Sequence, residues 1–428
     1  MKRIPLFVFV LGALAASAGV PVVDPATVSV VQEGPKVTVS YTLTGEEGIV
    51  TIDMQTNTLA DASGDWISVG PENLRTLKGA VNCRVSALGV VQTATWKPGK
   101  EALAADRDRL GKVRAVVKAW SVTAPPDYLV VNLEKQDTYR YYTCTNAFPL
   151  GGLANDAYRS TLLVMRRIPA AGTTARQGAT YWERRNRATD VSHAVSPAHL
   201  VSFTNDFYMS VYHLTHKQAH VIWPGVPQPW SAGGDFAVFS VAKWADVRGA
   251  CTSGAAYDWP SKGHAVDPNS LLGRLRELSG IEFDLPTEAQ WEFACRAGTE
   301  TCWNNGSDEV ADASQVAVCG LSNDQGYGYS PVGTKKPNAW GLYDMHGLIW
   351  DMCLDWWDPS PSVEGIQVDP VGPSGQTAAG GEGRVRRGGS WSLSPANGTR
   401  AASRMNGGIT SESNYNGWRL VCPVTLKW

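Results

Sequence analysis

"FDLPTEAQWEFACRAGT", residues 283–299, marks a helix at both ends. Thr287 and Gln290 stand three apart, the spacing at which each side chain satisfies the other residue's backbone N–H at a helix start. Trp291, Ala294 and Cys295 fall on one face, and Gly298 supplies the stop. The flanking chain carries the same kind of short signal. In "DPNSLLGRLRELSG" (267–280), Asp267 reads as the N-cap, Pro268 as the first helical residue and Gly280 as the stop. Leu271, Leu272, Leu275 and Leu278 make its apolar stripe. Thr215 and Gln218 repeat the capping spacing, so another helix is expected to start at His216. From Thr299 to Trp428 turn residues dominate. Short helices set in long loops are expected over the second half.

The first 120 residues read differently. "KVTVSYTLTG" (36–45) puts Val37, Val39, Tyr41 and Leu43 on one face, and "GIVTIDMQT" (48–56) and "KVRAVVKAW" (112–120) continue the strand habit. "TGEEG" and "KPGK" are turn signals between such runs. With no helix pattern present, this region is expected to be an antiparallel β-sandwich of immunoglobulin or fibronectin type. Pro125 and Pro126 in "SVTAPPDYL" (121–129) interrupt it.

The chain has 428 residues, more than one compact core accommodates. A formal charge of −2, with no basic run of five or more, argues against nucleic acid or a polybasic membrane patch. Its 17 tryptophans and 43 glycines suit loops pinned by large rings. The start, "MKRIPLFVFVLGALAASAGV", has basic Lys2 and Arg3, an apolar run and the small residues Ala16-Ser17-Ala18, so residues 1–18 read as a secretory signal. No later stretch is apolar for the roughly 20 residues that a helix needs to cross a bilayer. A secreted, periplasmic or cell-envelope location follows as an expectation. In such a compartment the eight cysteines, an even number, are expected to form disulfides, with the pairing open.

Six stretches in order carry a resemblance: "LVMRRIPA" (163–170), "FYMSVYHLTHKQ" (207–218), "FDLPTEAQWEFACRAGT", "NAWGLYDMHGLIWDMCLDWW" (338–357), "RVRRGGSWS" (384–392) and "NGWRLVC" (416–422). Together they resemble the formylglycine-generating enzyme, or sulfatase-modifying factor, family. The resemblance implies a loop-rich domain related to the C-type-lectin fold. The expected architecture is α+β: signal peptide 1–18, β-sandwich 19–122, linker and connecting strands 123–160, and the family domain over 161–428.

What the resemblance implies for chemistry is a copper ion on two cysteines just after the GGS segment, oxidising a sulfatase cysteine to formylglycine. Two thiolates suit Cu(I). Here the segment reads "GGSWSLSPANGTRAASR" (388–404), with the first cysteine's place near Leu393 and the second around Asn397 and Gly398. No cysteine occurs between Cys353 and Cys422. Copper is not expected.

The resemblance also implies a structural calcium at Asp344, Gly347, Ile349 and Asp351, and a weaker second site at Asp324. A turn whose aspartates bond their own backbone is the alternative. His213, His216 and His220 have a tempting spacing, but only the last two are helical neighbours, so no three-histidine site is expected. Asp351, Asp355 and Asp358 lie among tryptophans and are not expected to work as a catalytic carboxylate pair. Arg384, Arg386 and Arg387 read either as an anion-recognition strip or as a solvated face.

Two functions compete. One is a non-catalytic ligand-binding or display protein, taking a peptide or glycan on Trp391, Ser392, Ser394, Asn397, Arg400 and Arg404 within a segment rich in adaptable polar residues. The other is an enzyme of oxidase or tautomerase type without copper, with Ser390, Arg400 and Arg404 as catalytic candidates. A structural cell-envelope role is the third option.

Overall fold

The alternating segments become sheets. The computed structural model describes residues 19–57, 59, 62–101, 113–179, 196–226, 234–240, 242–249, 266–320, 330–361, 364–375, 383–394, 398–410 and 412–426. The leader 1–18, Cys251, Asp324 and Asn397 lie outside them. The chain divides into two compact units, Met1–Pro125 and Pro126–Trp428.

In the first unit the long strands are β1 (Lys36–Thr44), β2 (Gly48–Asn57), β3 (Val91–Trp96) and β4 (Val113–Trp120). β1 pairs antiparallel with β3 in one sheet, and β2 pairs antiparallel with β4 in another. Val37, Val39, Tyr41 and Leu43 of β1 share one buried cluster with Val50, Ile52 and Met54 of β2, so two sheets enclose a common core. Trp96 closes its base and donates its indole N–H to the Asn73 carbonyl at 2.9 Å.

The second unit begins with β5 (Tyr128–Asn132), β6 (Tyr139–Tyr142), β7 (Leu162–Ile168) and β8 (Phe207–Ser210). Its longer described helices follow, α1 (His216–Ile222), α2 (Leu271–Ser279) and α3 (Glu288–Arg296), with a four-residue helix, Trp244–Val247, between the first two. It ends with β9 (Trp350–Trp356), β10 (Gly383–Arg387), β11 (Arg404–Gly408), β12 (Asn416–Gly417) and β13 (Val421–Pro423). One antiparallel sheet runs β6-β5-β7-β8-β13, and a second sheet runs β11-β10-β9-β12. The stretch expected as linker and connecting strands, 123–160, supplies two strands of the first of these sheets. The apolar run Leu129-Val130-Val131 is buried on both faces while the strand pairs on both edges, as a central strand requires. Shorter strands and 3-10 turns fill the rest, which makes this unit sheet-rich with few helices.

The helix signals translate with one correction. α3 has Thr287 as N-cap with both arms of the capping box in place, the Gln290 N–H donating to Thr287 Oγ1 at 3.1 Å and the Thr287 N–H to Gln290 Oε1 at 3.0 Å. α1 starts at His216 behind the same device. α2 is capped by Ser270, not Asp267. Asp267 instead closes the preceding turn by accepting the Asn269 N–H at 2.8 Å, which leaves Pro268 outside the helix. α3 then packs Ala289, Trp291, Ala294 and Cys295 against Phe207, Met209, Val385 and Val421, locking it between the two sheets of this unit.

The disulfide expectation needs revision. Cys83, Cys144, Cys295, Cys302, Cys319, Cys353 and Cys422 form no disulfide with one another. Four of them are buried and serve as small apolar side chains of the core.

Capping energies test these starts. Thr287→Ala and Ser270→Ala should each cost about 1 kcal/mol in denaturant unfolding. Asp267→Ala should cost clearly less than Ser270→Ala, and the reverse order would restore Asp267 as the cap.

Candidate functional site

The GGS segment follows β10 directly. Gly388 and Gly389 adopt φ of 91° and 84°, left-handed values that side chains resist. A Cβ on Gly389 would stand 2.6 Å from the Gly398 carbonyl oxygen, so both conformation and crowding demand glycine there. The chain then turns through Ser390 to Trp391, whose N–H donates to the Leu348 carbonyl at 3.0 Å. Trp391 is buried, and its ring stacks on the exposed Tyr415 ring at 5.5 Å between centroids, 18° from parallel. The Ser390 hydroxyl is buried and lies 3.2 Å from that of Ser392. Its neighbour is a second hydroxyl rather than the base that activates a serine nucleophile.

The return strand is gripped from α3. Arg387 donates Nη1 to the carbonyls of Ala402 and Ser403 at 3.0 and 2.7 Å, and Nη2 to that of Ala401 at 3.0 Å. The same Nη2 pairs with Glu292. Glu292 in turn accepts from Arg296 Nε and from the Gly178 N–H, both at 2.9 Å. One turn earlier, Glu288 takes Arg404 in a two-pronged pair, Nε to Oε1 at 2.7 Å and Nη2 to Oε2 at 2.8 Å. Arg404 Nη1 also donates to the Asp358 carbonyl at 2.6 Å. Burial works against ionisation of Glu288, but Arg404 and Arg387 outweigh it and hold its pKa below the ordinary value. Asp355 accepts the Glu288 N–H at 2.7 Å. Its own pKa is pushed up, by burial first and by the Glu288 charge second.

These contacts revise several expected roles. Arg404 is buried, with its guanidinium on Glu288 and the Asp358 carbonyl. Arg400 is buried as well, 2% exposed. Arg384 and Arg387 are fully buried and Arg386 half-buried, so the strip is neither a solvated face nor a surface for anions. Of the residues expected to bind a ligand, Ser392 and Ser394 are exposed, Trp391 is a buried platform beneath Tyr415, and Asn397 lies outside the described residues.

Cys295 is tied to this loop through a histidine, its Sγ lying 3.6 Å from Nε2 of His346. The other ring nitrogen, Nδ1, is 2.6 Å from the Thr399 carbonyl. A carbonyl only accepts, so Nδ1 carries the proton and Nε2 accepts from the Asn304 N–H at 3.1 Å and from the thiol. Burial pushes Cys295 up to about 12 and His346 down to about 4. A neutral thiol on a neutral imidazole is a structural pin between α3 and residues 398–400. Among the described residues, no three His, Cys, Asp or Glu side chains converge as a metal set, and this includes Cys295, Cys302 and His346.

The expected calcium set holds two buried aspartates, Asp344 and Asp351. Asp351 is 1% exposed, and its Oδ2 accepts from Trp291 Nε1 at 2.8 Å and from Arg419 Nε at 3.1 Å. Its Oδ1 faces His213 Nε2 at 3.0 Å. Burial opposes ionisation of Asp351, but His213 and Arg419 hold its carboxyl down at about 2. Asp344 accepts the Gly333 N–H at 2.6 Å through Oδ2, and its buried Oδ1 has no hydrogen-bond partner. Asp351 Oδ1 likewise has no hydrogen-bond partner, and the Gly347 carbonyl accepts the Ile349 N–H at 2.8 Å. The three histidines part company too: His213 is buried against Arg419, His216 lies edge-on to Phe239, and His220 is exposed.

The roles of Glu288 and Glu292 had a signal in the sequence. With Trp291 and Cys295 they occupy i, i+3, i+4 and i+7, which places two carboxylates inside the apolar stripe of α3. Buried carboxylates require cationic partners, and "RVRR" and Arg404 supply them. Tyr415 carried no comparable signal.

Arg404→Met leaves Glu288 buried with its two-pronged partner gone, and should cost about 3–5 kcal/mol in unfolding free energy. Arg404→Met combined with Glu288→Leu should recover much of that loss. For His346 the sign follows from its pKa, which falls from 6.5 to about 4 on folding. Above pH 6.5 neither state is protonated. Between 6.5 and 4 only the unfolded chain takes up the proton, so stability falls as pH falls. Between pH 7 and pH 5 the native protein should lose about 2 kcal/mol more than His346→Gln does. Parallel losses in the two proteins would refute the assignment of a neutral, buried imidazole.

Comparison with known proteins agrees with this construction. Over 150 residues the chain is 31% identical to the formylglycine-generating enzyme of Thermomonospora curvata, a stretch covering 32% of this chain and 48% of that protein. Over 157 residues it is 34% identical to the formylglycine-generating enzyme of Streptomyces coelicolor, covering 33% and 47%. The chain thus spans about half the length of these curated relatives. Among solved structures, Treponema denticola variable protein 1 aligns at 22% identity with a TM-score of 0.44, covering 62% of this chain and 96% of that one. Residues 165–424, more than half of the chain, match the sulfatase-modifying factor enzyme 1-like domain, and the chain belongs to that family.

Proposed function

We propose that this chain is an exported, non-catalytic ligand-binding or display protein that keeps the framework of its formylglycine-generating relatives without their copper chemistry. The observation that carries this reading is the state of the thiols around the GGS segment. There is no cysteine from Gly388 to Arg404. The thiol tied to the segment through His346, Cys295, is buried and has its ionisation pushed up to about 12. Copper in this chemistry requires two thiolates, and a thiol that stays protonated at neutral pH is a poor ligand.

The framework offers a surface instead. Exposed Tyr415 lies flat on the Trp391 ring, and Ser392 and Ser394 stand exposed along the same segment. A rigid aromatic flanked by hydroxyls suits the apolar face and polar edge of a sugar or a peptide. The leader-like residues 1–18 support export, and no described helix is long and apolar enough to cross a membrane.

Two assays test this reading. A cysteine peptide of sulfatase type, incubated with the protein and supplied copper, should yield no aldehyde, and reproducible aldehyde would replace binding by catalysis. A glycan and peptide array should show ligands for the native chain whose signal falls at least about tenfold in Tyr415→Ala with Ser392→Ala and Ser394→Ala, as expected when an aromatic anchor is removed. Equal binding by both proteins would place the ligand elsewhere.

A further inference from the structure

Two buried guanidiniums of the second unit grip a carboxylate by the same edge. Arg404 sets Nε and Nη2 on the two oxygens of Glu288 at 2.7 and 2.8 Å. Arg248 does the same to Asp284 at 2.8 and 3.0 Å. The two parallel N–H groups of that edge match the spacing of carboxylate oxygens.

Arg386 presents this edge with no anion on it. Its Nε is buried without a hydrogen-bond partner, and its Nη2 donates only to the Met405 thioether at 3.1 Å. Nη1 donates to Asn416 Oδ1 at 2.8 Å, which fixes the plane of the fork, and the Trp350 ring lies 5.2 Å away. Among the described residues no carboxylate pairs with this cation. Burial, with nothing to offset it, pushes its pKa down to about 10.

The three arginines of β10 form no continuous surface, yet this middle one is half-buried rather than sealed, with Met405 half-buried and Asn406 exposed beside it. Strand pairing puts Met352, Arg386 and Met405 in one row across β9, β10 and β11. A Cβ on Gly407 would stand 2.7 Å from Met352 Sδ and 3.3 Å from Arg386 Cδ, so glycine leaves this row room. A thioether is a weak acceptor on a flexible side chain. Met405 is thus a cover that a stronger acceptor displaces.

We infer that Arg386 binds the carboxylate of a ligand that also carries an apolar group, with the oxygens on Nε and Nη2 and the apolar part beside Trp350 and the methionines. Phosphate fits less well, because one guanidinium leaves its second charge unpaired in a half-buried recess. The inference goes beyond the Tyr415 surface and uses none of its side chains.

Benzoate titration of the full chain, followed by calorimetry and by the Nε–H resonance of Arg386, provides the test. Benzoate should bind with a Kd of about 10 mM or tighter and move that resonance. Its neutral isostere benzamide should bind at least about tenfold more weakly. Arg386→Lys keeps the charge but loses the fork, and should weaken benzoate by about tenfold or more. No benzoate binding to the native protein up to about 50 mM would refute the site, as would equal binding by a folded Arg386→Lys protein. Inorganic phosphate binding as tightly as benzoate would overturn the carboxylate class. A peptide ending in phenylalanine separates the sources of that group. Binding that is lost on amidating its terminus identifies a chain end as ligand, and binding of benzoate alone identifies a small organic acid. If Arg386→Lys fails to fold, the native resonance still decides, because benzoate that leaves it unmoved is bound elsewhere and the inference falls.

Discussion

Two glutamates one helical turn apart, Glu288 and Glu292, face Arg404 and Arg387 inside the second unit, and the position of every other part of the GGS segment follows from that encounter. Four buried charges are not an economical source of stability. Desolvating them costs several kcal/mol each, and apolar residues of the same volume would serve about as well. What they impose is selectivity among arrangements. Slipping β10 by one residue would turn Arg387 away from Glu292 and leave a bare carboxylate in the core. The helix, the strand and the carbonyls of Ala401, Ala402 and Ser403 are therefore bound to one register.

The same economy of means recurs where loops would otherwise drift. This unit has short helices and long connections, and the described cysteines form no cross-links. Arginines stacked on indoles take over part of that task. The Arg384 guanidinium lies 3.5 Å from the centre of the Trp356 ring and 4.9 Å from that of Trp244, and Arg404 covers Trp357 at 4.6 Å. A flat, weakly hydrated cation can be buried against a ring while its edge reaches carbonyls, which a lysine ammonium does less well. The abundance of tryptophan is thus paired with arginine rather than with disulfides.

Local signals in the sequence translated well, and long-range ones did not. Thr287 with Gln290 and Thr215 with Gln218 are complete within four residues, and each became a helix start. The faces of β1 needed only alternation. The partners of Arg404 were not legible, because Glu288 lies 116 residues away and sequence spacing says nothing about which distant carboxylate arrives. The partners of Asp351 were hidden for a related reason. A carboxylate in a turn looks alike whether a cation or an arginine faces it, and Arg419 comes from 68 residues downstream. Asp267 lost the cap to Ser270 because both are good caps and only the course of the preceding turn chooses between them.

The separation of framework from chemistry has a physical basis here. Arg387 holds the carbonyls of residues 401–403, His346 holds that of Thr399, and the N–H of Gly320 holds that of Leu393. These grips act on the backbone, so they are indifferent to the side chains carried between Trp391 and Gly398. Replacing a thiol there by Leu393 or a serine removes no hydrogen bond on which the fold depends. The glycines, by contrast, are needed for the turn itself, since a Cβ at Gly389 would collide with the returning strand. A segment anchored in this way can lose its metal ligands and keep its shape. For that reason the GGSW sequence by itself is a statement about backbone geometry, and the reaction has to be read from the residues that follow it.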